Sequence, residues 1–207
     1  MRKITLLLGA YLISVTTATY AGLETFEKPL VINGATYKII KNIETENVSI
    51  KVVDKDSKDV WASKPLGYAP WNFKINGKAT SLEIEDLDGD NIPEIITACA
   101  TGEIQSALYI FKYNPENKDF IPMNFGYEKY KGLERDFMVS DIPYPNGENM
   151  VFETNNKIRC LGKKYQLGEE PAPAYYYFEL KNGVFLAGDP VIAKIENILS
   201  THTDNKE

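Results

Sequence analysis

Five carboxylates lie within ten residues in the stretch EDLDGDNIPE, which spans positions 85 to 94. Carboxylates this close repel one another and raise one another's pKa unless a cation compensates them or water keeps them apart. Counted from Asp86, possible oxygen ligands recur at every second position up to the ninth, and alternate residues of a curled loop can converge on one point. Because Ca²⁺ prefers about six to eight oxygen ligands at about 2.3 to 2.6 Å, the spacing predicts a calcium site, with a solvated acidic turn as the alternative. The predicted ligands are Asp86, Asp88, Asp90, the backbone carbonyl of Ile92, and Glu94.

The residues on either side of this loop predict strands rather than helices. Leu82–Ile84 enter the loop and Ile95–Cys99 leave it, and both runs are apolar or alternating. An EF-hand is excluded, because that loop needs Gly at its sixth position and Glu at its twelfth, where this chain has Asn91 and Thr97. Gly89 and Asn91 are residues that tolerate the left-handed conformation a tight curl requires.

A strand, a nine-residue acidic loop and a second strand resemble the calcium loop of integrin-type (FG-GAP) β-propeller blades and of the related bacterial VCBS repeats. Their shared pattern is D-x-D-G-D-x-x-x-D/E followed by an apolar strand. The wider layout is similar to that of a family of small, secreted, propeller-like bacterial proteins that inhibit lysozyme. In that family an aromatic strand with an Asn/Asp-Pro turn and a Phe follows the loop, as in Tyr109–Phe120, and a Tyr-rich hairpin comes later, as in Ala174–Leu186. The resemblance implies a propeller-like β fold, bound calcium and a protein partner.

The chain is poor in residues that catalyse reactions. Its one histidine, His202, lies in a polar C-terminal tail, so we expect neither a Ser-His-Asp or Cys-His arrangement nor a histidine-ligated zinc site. Carboxylate pairs such as Glu83 and Glu85, or Glu169 and Glu170, leave a carboxylate-based hydrolase as an alternative, although neighbouring exposed acids are usually only solvated. We therefore expect a binding protein and not an enzyme.

Short runs rich in Val, Ile, Tyr and Phe dominate the sequence and predict an all-β fold of antiparallel sheets, either propeller-like or a sandwich. Asn-Gly dipeptides between such runs favour the type I′ turns of β-hairpins. Apolar residues at helical spacing after Asp189-Pro190 predict one short C-terminal helix over Val191–Leu199. The three predicted hairpins are Leu30–Ile32 with Thr36–Ile40, Trp71–Ile75 with Ser81–Ile84, and Tyr175–Leu180 with Val184–Leu186.

The N-terminus has the layout of a secretory signal peptide over residues 1–21. A basic start precedes an apolar run from Ile4 to Val15, and small residues lead up to Ala21. The apolar run is shorter than the about 20 residues that a membrane-spanning helix needs. We therefore expect a periplasmic or secreted bacterial protein with no membrane span in its mature form, a single β domain over residues 22–199, and a disordered tail over residues 200–207.

The net charge of the chain is −6, and cleavage would make it about −8 because Arg2 and Lys3 would be removed. An acidic balance argues against nucleic acid or an anionic membrane surface as a partner and favours a basic protein.

Cys99 and Cys160 are the two cysteines of the chain. In an oxidising compartment an even pair is most simply a disulfide, and the alternative is two free buried thiols. A bridge that closes this loop would stabilise the fold by roughly 4 kcal/mol.

Aromatic residues beside loops that contain Pro or Gly are candidates for partner contacts, since such side chains often anchor interfaces, although a core position is the commoner one. The candidates are Trp61, Tyr68, Trp71, Tyr175 and Tyr176. The combined expectation is an exported calcium-binding β protein that binds and inhibits a protein partner, such as a lysozyme or another cell-wall hydrolase, or that acts as an immunity protein. A carbohydrate-binding envelope module is a further alternative.

Overall fold

The computed structural model describes residues 24–44, 47–102, 105–134, 137–139, 147–164 and 168–193. The predicted signal peptide and the predicted disordered tail lie outside these residues. Over the described ranges the chain forms strands and turns and no helix. The strands in chain order are β1 (Glu24–Ile32), β2 (Ala35–Glu44), β3 (Asn47–Val53), β4 (Asp59–Ala62), β5 (Ala69–Trp71), β6 (Phe73–Ile75), β7 (Lys78–Thr80), β8 (Leu82–Glu85), β9 (Glu94–Gly102), β10 (Gln105–Asn114), β11 (Asp119–Pro122), β12 (Asn124–Tyr127), β13 (Tyr130–Glu134), β14 (Phe137–Val139), β15 (Met150–Thr154), β16 (Lys157–Lys164), β17 (Ala172–Lys181), β18 (Val184–Ala187) and β19 (Val191–Ile192).

These strands form three sheets, which we call sheets A, B and C. Sheet A is the meander β1-β2-β3-β4. Sheet B has the order β11-β10-β9, with β8 and β5 both pairing along β9 and β14 pairing along β10. Sheet C has the order β13-β12-β18-β17-β16-β15-β6-β7, with β19 beside β17; its β12–β18 and β15–β6 pairs are parallel. The prediction of an all-β fold of antiparallel sheets is confirmed, and the sheets do not close into a barrel.

Sheet B is the middle layer, because its two faces contribute to two different hydrophobic cores. Ile95 and Cys99 of β9 pack in the core shared with sheet A. Ile96 and Ala98 of the same strand pack in the core shared with sheet C. Successive side chains of a strand point to opposite faces, so a strand covered on both sides is buried at nearly every position, as β9 is from Glu94 to Ala100.

Two of the three predicted hairpins form as expected. Ile32 pairs with Ala35 across the first Asn-Gly turn, and Lys181 pairs with Val184 across the last. The Asn and Gly of both turns have positive φ, which is the backbone geometry of a type I′ turn.

The third hairpin is only partly correct. Its turn at Asn76-Gly77 forms, but the turn joins Phe73–Ile75 to Lys78–Thr80. The predicted return strand Ser81–Ile84 instead contributes to β8 in sheet B, because Leu82 packs in the core between sheets A and B whereas Phe73 packs in the other core.

The predicted helix over Val191–Leu199 is wrong at its start. Val191 and Ile192 form β19 and pair with Tyr175 and Ala174 of β17. The physical reason is an open edge, since β18 pairs only with the second half of β17 and leaves the backbone of the first half available. Residues 194–199 lie outside the described residues.

The predicted disulfide is also wrong, because Cys99 and Cys160 are free thiols. Cys99 faces sheet A, whereas Cys160 projects from sheet C into the core on the other side of sheet B. Burial raises the pKa of the Cys99 thiol to about 11 and raises that of Cys160 further, so the reactive thiolate is disfavoured at both positions.

A buried lysine connects sheet A to sheet B. Lys41 of β2 is fully buried, and its Nζ donates hydrogen bonds to the carbonyl oxygens of Ser81 at 2.7 Å and Ala98 at 2.8 Å. Burial lowers the pKa of Lys41 to about 8, although the nearby Cys99 opposes this shift. The ammonium is therefore tolerated at neutral pH because backbone carbonyls replace part of its hydration.

The depressed pKa of Lys41 makes stability depend on pH. The unfolded chain holds this proton up to a pKa of 10.5 and the folded chain only up to about 8, so the free energy of unfolding rises as the pH increases between these values. We expect Lys41 to contribute a gain of about 1 kcal/mol between pH 7 and pH 9, seen as the difference between the natural protein and Lys41→Met, because the buried thiols contribute in the opposite direction to both. Urea denaturation of the natural protein and of Lys41→Met at both pH values measures it. Equal pH dependence in the two proteins would contradict the assignment.

Candidate metal centre

The acidic loop, residues 86–93, closes the hairpin between β8 and β9 in sheet B. Glu85 pairs with Glu94 at the base of the loop, so the two strand ends are held in register. Gly89 and Asn91 have φ values of 79° and 66°. The loop therefore curls through the left-handed residues that the sequence indicated.

The carboxylates of the loop hold its curled shape by accepting backbone hydrogen bonds. Asp86 accepts from Gly89 at 2.8 Å through Oδ1 and from Asn91 at 3.0 Å through Oδ2. Asp90 Oδ1 accepts from the N–H of Ile92 at 2.8 Å. Side-chain oxygens of this kind replace the backbone partners that a tight turn lacks.

Three of the four predicted carboxylate ligands converge. One carboxylate oxygen from each of Asp86, Asp88 and Glu94 lies within 4.8 Å of the other two. Asp90 is not part of this group. The side chain of Ile92 packs against the core between sheets A and B, and the use of its carbonyl as a ligand stays a prediction.

Glu94 is the buried member of the group, with no exposed side-chain surface. Its Oε2 accepts a hydrogen bond from the N–H of Leu87 at 2.8 Å, whereas its Oε1 has no hydrogen-bond partner among the described residues. Burial raises the pKa of Glu94 to about 7, and the negative charges of Asp88 and Asp90 act in the same direction. A buried carboxylate oxygen without a partner is costly, and a cation would remove that cost.

Lys112 of β10 supplies one positive charge to this site. Its Nζ contacts Asp88, lies 2.7 Å from Asp90 Oδ2, and lies 3.9 Å from Glu94 Oε1. Although partial burial opposes the charged form, the hydrogen bonds to Asp88 and Asp90 raise the pKa of Lys112. The bond from Lys112 likewise lowers the pKa of Asp90 against the effect of burial. Asp90 is therefore engaged with a lysine and with the backbone rather than with the other three carboxylates.

The donor set fits calcium better than a transition metal. The converging oxygens lie within 4.8 Å of one another, which is close enough for all three to bind one Ca²⁺ ion at about 2.3 to 2.6 Å. The cluster contains carboxylates and no imidazole or thiolate, whereas zinc sites are built mainly from those groups. Asp86, Asp88 and Glu94 would hold the ion, and its role would be to order the loop.

The five aromatic residues predicted to contact a partner do not form one surface. Three of them pack into cores: Trp61 lies 5.2 Å from Phe111 between sheets A and B, and Trp71 and Tyr176 pack against the core between sheets B and C. Tyr68 is 41% exposed, and its hydroxyl donates to the carbonyl of Gly102. Tyr175 lies on the other face of sheet C, where Arg159 sits over its ring at 5.0 Å.

Lys112 and the burial of Glu94 were not apparent from sequence reasoning. The alternation of side chains along β10 could have indicated the role of Lys112. Ile110 and Lys112 lie on the same face of this strand, and Ile110 is fully buried. A lysine two residues from a core position on that face needs an anion nearby.

The comparisons with known proteins do not identify a family. No protein-family model, curated protein or solved structure matches the chain. The resemblance to FG-GAP and VCBS calcium loops and to lysozyme inhibitors therefore stays a prediction from the residues that suggested it. In the part of the chain that the structure describes, no helix is long and apolar enough to cross a membrane.

The contacts of Lys112 predict competition with a bound metal. Replacing Lys112 with Met removes a positive charge that shares Asp88 with the ion, so we expect calcium to bind about tenfold more tightly, and the metal-free protein to be less stable. Calorimetric calcium titration and thermal melting in EDTA measure the two effects. Lys55→Met is the control, because Lys55 is 80% exposed and pairs with Asp56 away from the site. Unchanged calcium affinity in Lys112→Met would argue against competition.

Proposed function

We propose that this protein is a calcium-binding β protein in which the ion orders the acidic loop, and that it acts by binding a partner rather than by catalysis. The observation that carries the proposal is Glu94 Oε1, a fully buried oxygen without a hydrogen-bond partner among the described residues, in a carboxylate that converges with those of Asp86 and Asp88. Lys112 provides one positive charge for the carboxylates of Asp86, Asp88, Asp90 and Glu94, so the site retains negative charge that a divalent ion would compensate.

A structural role for the ion is favoured over Lewis-acid catalysis. The carboxylates of Asp86 and Asp88 accept backbone N–H groups of their own loop, and Glu94 accepts the N–H of Leu87. An ion bound to these side chains would be tied to the loop's own backbone network. Its binding energy would therefore add to the stability of the hairpin between β8 and β9.

The proposal predicts that calcium stabilises the protein and that Glu94 is required. In calcium at about 100 times its dissociation constant, the free energy of unfolding should rise by about 2.7 kcal/mol, because the ion binds only the folded chain. Glu94→Gln keeps the shape and an acceptor for Leu87 but loses the charge, so this gain should largely disappear. Thermal melting in calcium and in EDTA provides the measurement.

Glu85→Gln is the matched control for this experiment. Glu85 pairs with Glu94 across the same hairpin but does not belong to the converging group, so its replacement changes the charge equally and should leave the calcium response intact. Equal melting temperatures of the natural protein in calcium and in EDTA would refute the calcium site.

We further propose that the partner is a basic protein, such as a lysozyme or another cell-wall hydrolase, met outside the cytoplasm. The support is electrostatic, because the chain carries a net charge of −6. Such charge accelerates the encounter with a basic partner and makes association sensitive to salt. The core positions of Trp61, Trp71 and Tyr176 leave Tyr68 and Tyr175 as the aromatic candidates for contact.

Inhibition of a basic muramidase tests this partner. Addition of the protein in calcium should lower the rate at which hen egg-white lysozyme clears a cell-wall suspension, with weaker inhibition at high salt because exposed charges are screened. An acidic cell-wall hydrolase serves as the comparison and should be unaffected. Full lysozyme activity at saturating protein and low salt would rule out that enzyme as the partner.

A further inference from the structure

A cleft of about 640 Å³ lies beside the acidic loop, between sheet B and the turns of sheet C. Residues 86–89 of the loop form one wall, and the turns that follow β15 and β17 form the other. Asn155 Nδ2 donates to the carbonyl oxygen of Asp86 at 3.2 Å, and the N–H of Leu180 donates to the carbonyl of Asn156 at 2.8 Å. The first of these hydrogen bonds joins the two walls, and the second joins the two turns that together form the second wall.

The lining of the cleft is partly apolar, through Leu87 and Leu180, and partly polar. Its functional groups are carboxylates, side-chain amides and one hydroxyl, and they belong to Asp86, Asp88, Asn155, Asn156, Asn182 and Thr154. No aromatic ring is among the residues that line it, so a flat aromatic ligand is not matched. Amides both donate and accept hydrogen bonds, which suits the hydroxyl groups of a polyol.

The cleft shares two residues with the candidate metal centre. Asp86 and Asp88 line the cleft and also contribute oxygens to the converging group with Glu94. Calcium takes about six to eight oxygen ligands, and three carboxylates supply fewer, even when one binds through both oxygens. An ion held there would border the cleft and have coordination positions for oxygens from a ligand.

We propose that this cleft is a carbohydrate-binding site. Two neighbouring hydroxyl oxygens of a sugar coordinate the calcium ion, while the side-chain amides of Asn155 and Asn182 form hydrogen bonds with the remaining hydroxyls. The proposal rests on the calcium site proposed above. Hydroxyls are favoured over the ammonium group of a basic peptide, because the ion and Lys112 both place positive charge at this wall.

Asn182 allows a clean test because it lines the cleft from a type I′ turn. Asn182→Gly removes the amide and keeps a residue that adopts the observed φ of 52° without strain. Asn33→Gly makes the same change at the turn between β1 and β2, where Asn33 has a φ of 49° and does not line the cleft. The pair separates the loss of a ligand contact from any general effect on turn stability.

The experiment is binding of saccharides to the full chain, followed by saturation-transfer NMR and calorimetry. The probes are methyl α-mannoside, methyl α-glucoside and chitotriose, each in calcium and in EDTA, with glycerol as a polyol that lacks a sugar ring and a lysine-rich peptide as the competing ligand class. We expect at least one saccharide to bind in calcium and not in EDTA, about tenfold more weakly to Asn182→Gly, and equally to Asn33→Gly.

The proposal is overturned if no saccharide binds in calcium, or if saccharide binding persists in EDTA. It is also overturned if Asn182→Gly binds saccharides with unchanged affinity, or if the peptide binds in place of the saccharides. Glycerol binding as tightly as the sugars would reduce the site to a general polyol site and also contradict it. Calcium titration without saccharide separates the two proposals. Calcium binding without sugar binding refutes the cleft alone, and absence of calcium binding refutes the proposed function.

Discussion

The burial of one carboxylate, that of Glu94, is the constraint on which the acidic loop depends. β9 lies in the middle sheet with a core on each side, and Glu94 is its first residue. A charged group in such a position must be neutralised or paired, because its hydration is lost. The structure meets half of this requirement through the N–H of Leu87 and leaves Oε1 without a hydrogen bond from the described residues, 3.9 Å from Lys112 Nζ. A cation at this loop, as proposed above, would meet the other half of the requirement.

The stacking of the sheets explains how the two strands that carry the acidic loop are held in place. On one side, Lys41 of sheet A donates hydrogen bonds to the carbonyl oxygens of Ser81 and Ala98. On the other side, sheet B packs against the aromatic core that it shares with sheet C. Both strands that carry the acidic loop belong to sheet B. The turn at Asn155 contacts the loop from sheet C. Carboxylates at the end of a hairpin that is packed on both sides lose little conformational entropy when they bind an ion, which favours binding.

Local patterns in the sequence were sufficient for the features that depend on local chemistry. Asn-Gly turns between apolar runs identified two hairpins, since a pair of residues at positive φ leaves few alternatives. The spacing of the acidic residues identified three that converge, Asp86, Asp88 and Glu94, because a curled loop brings alternate side chains together, but it also predicted Asp90, which does not join them.

Features that depend on contacts between sheets were not predictable in the same way. The run Trp71–Ile75 divides between sheets B and C, although Trp71, Phe73 and Ile75 all pack in the core that these two sheets share. The division reflects the strands with which each part pairs and not the propensity of the residues. Cys99 and Cys160 lie on opposite sides of sheet B, a relation that their positions in the sequence do not contain. Lys112 reaches the acidic loop from β10, and its role became visible only when the two strands were paired.

A crystal structure of the protein grown in calcium, with anomalous scattering used to identify the ion, tests the central claim most directly. We expect one calcium ion at about 2.3 to 2.6 Å from oxygens of Asp86, Asp88 and Glu94, with Glu94 Oε1 among its ligands and Lys112 moved away from Asp88. A structure at millimolar calcium in which Glu94 Oε1 has no metal ligand and Lys112 still contacts Asp88 would contradict it.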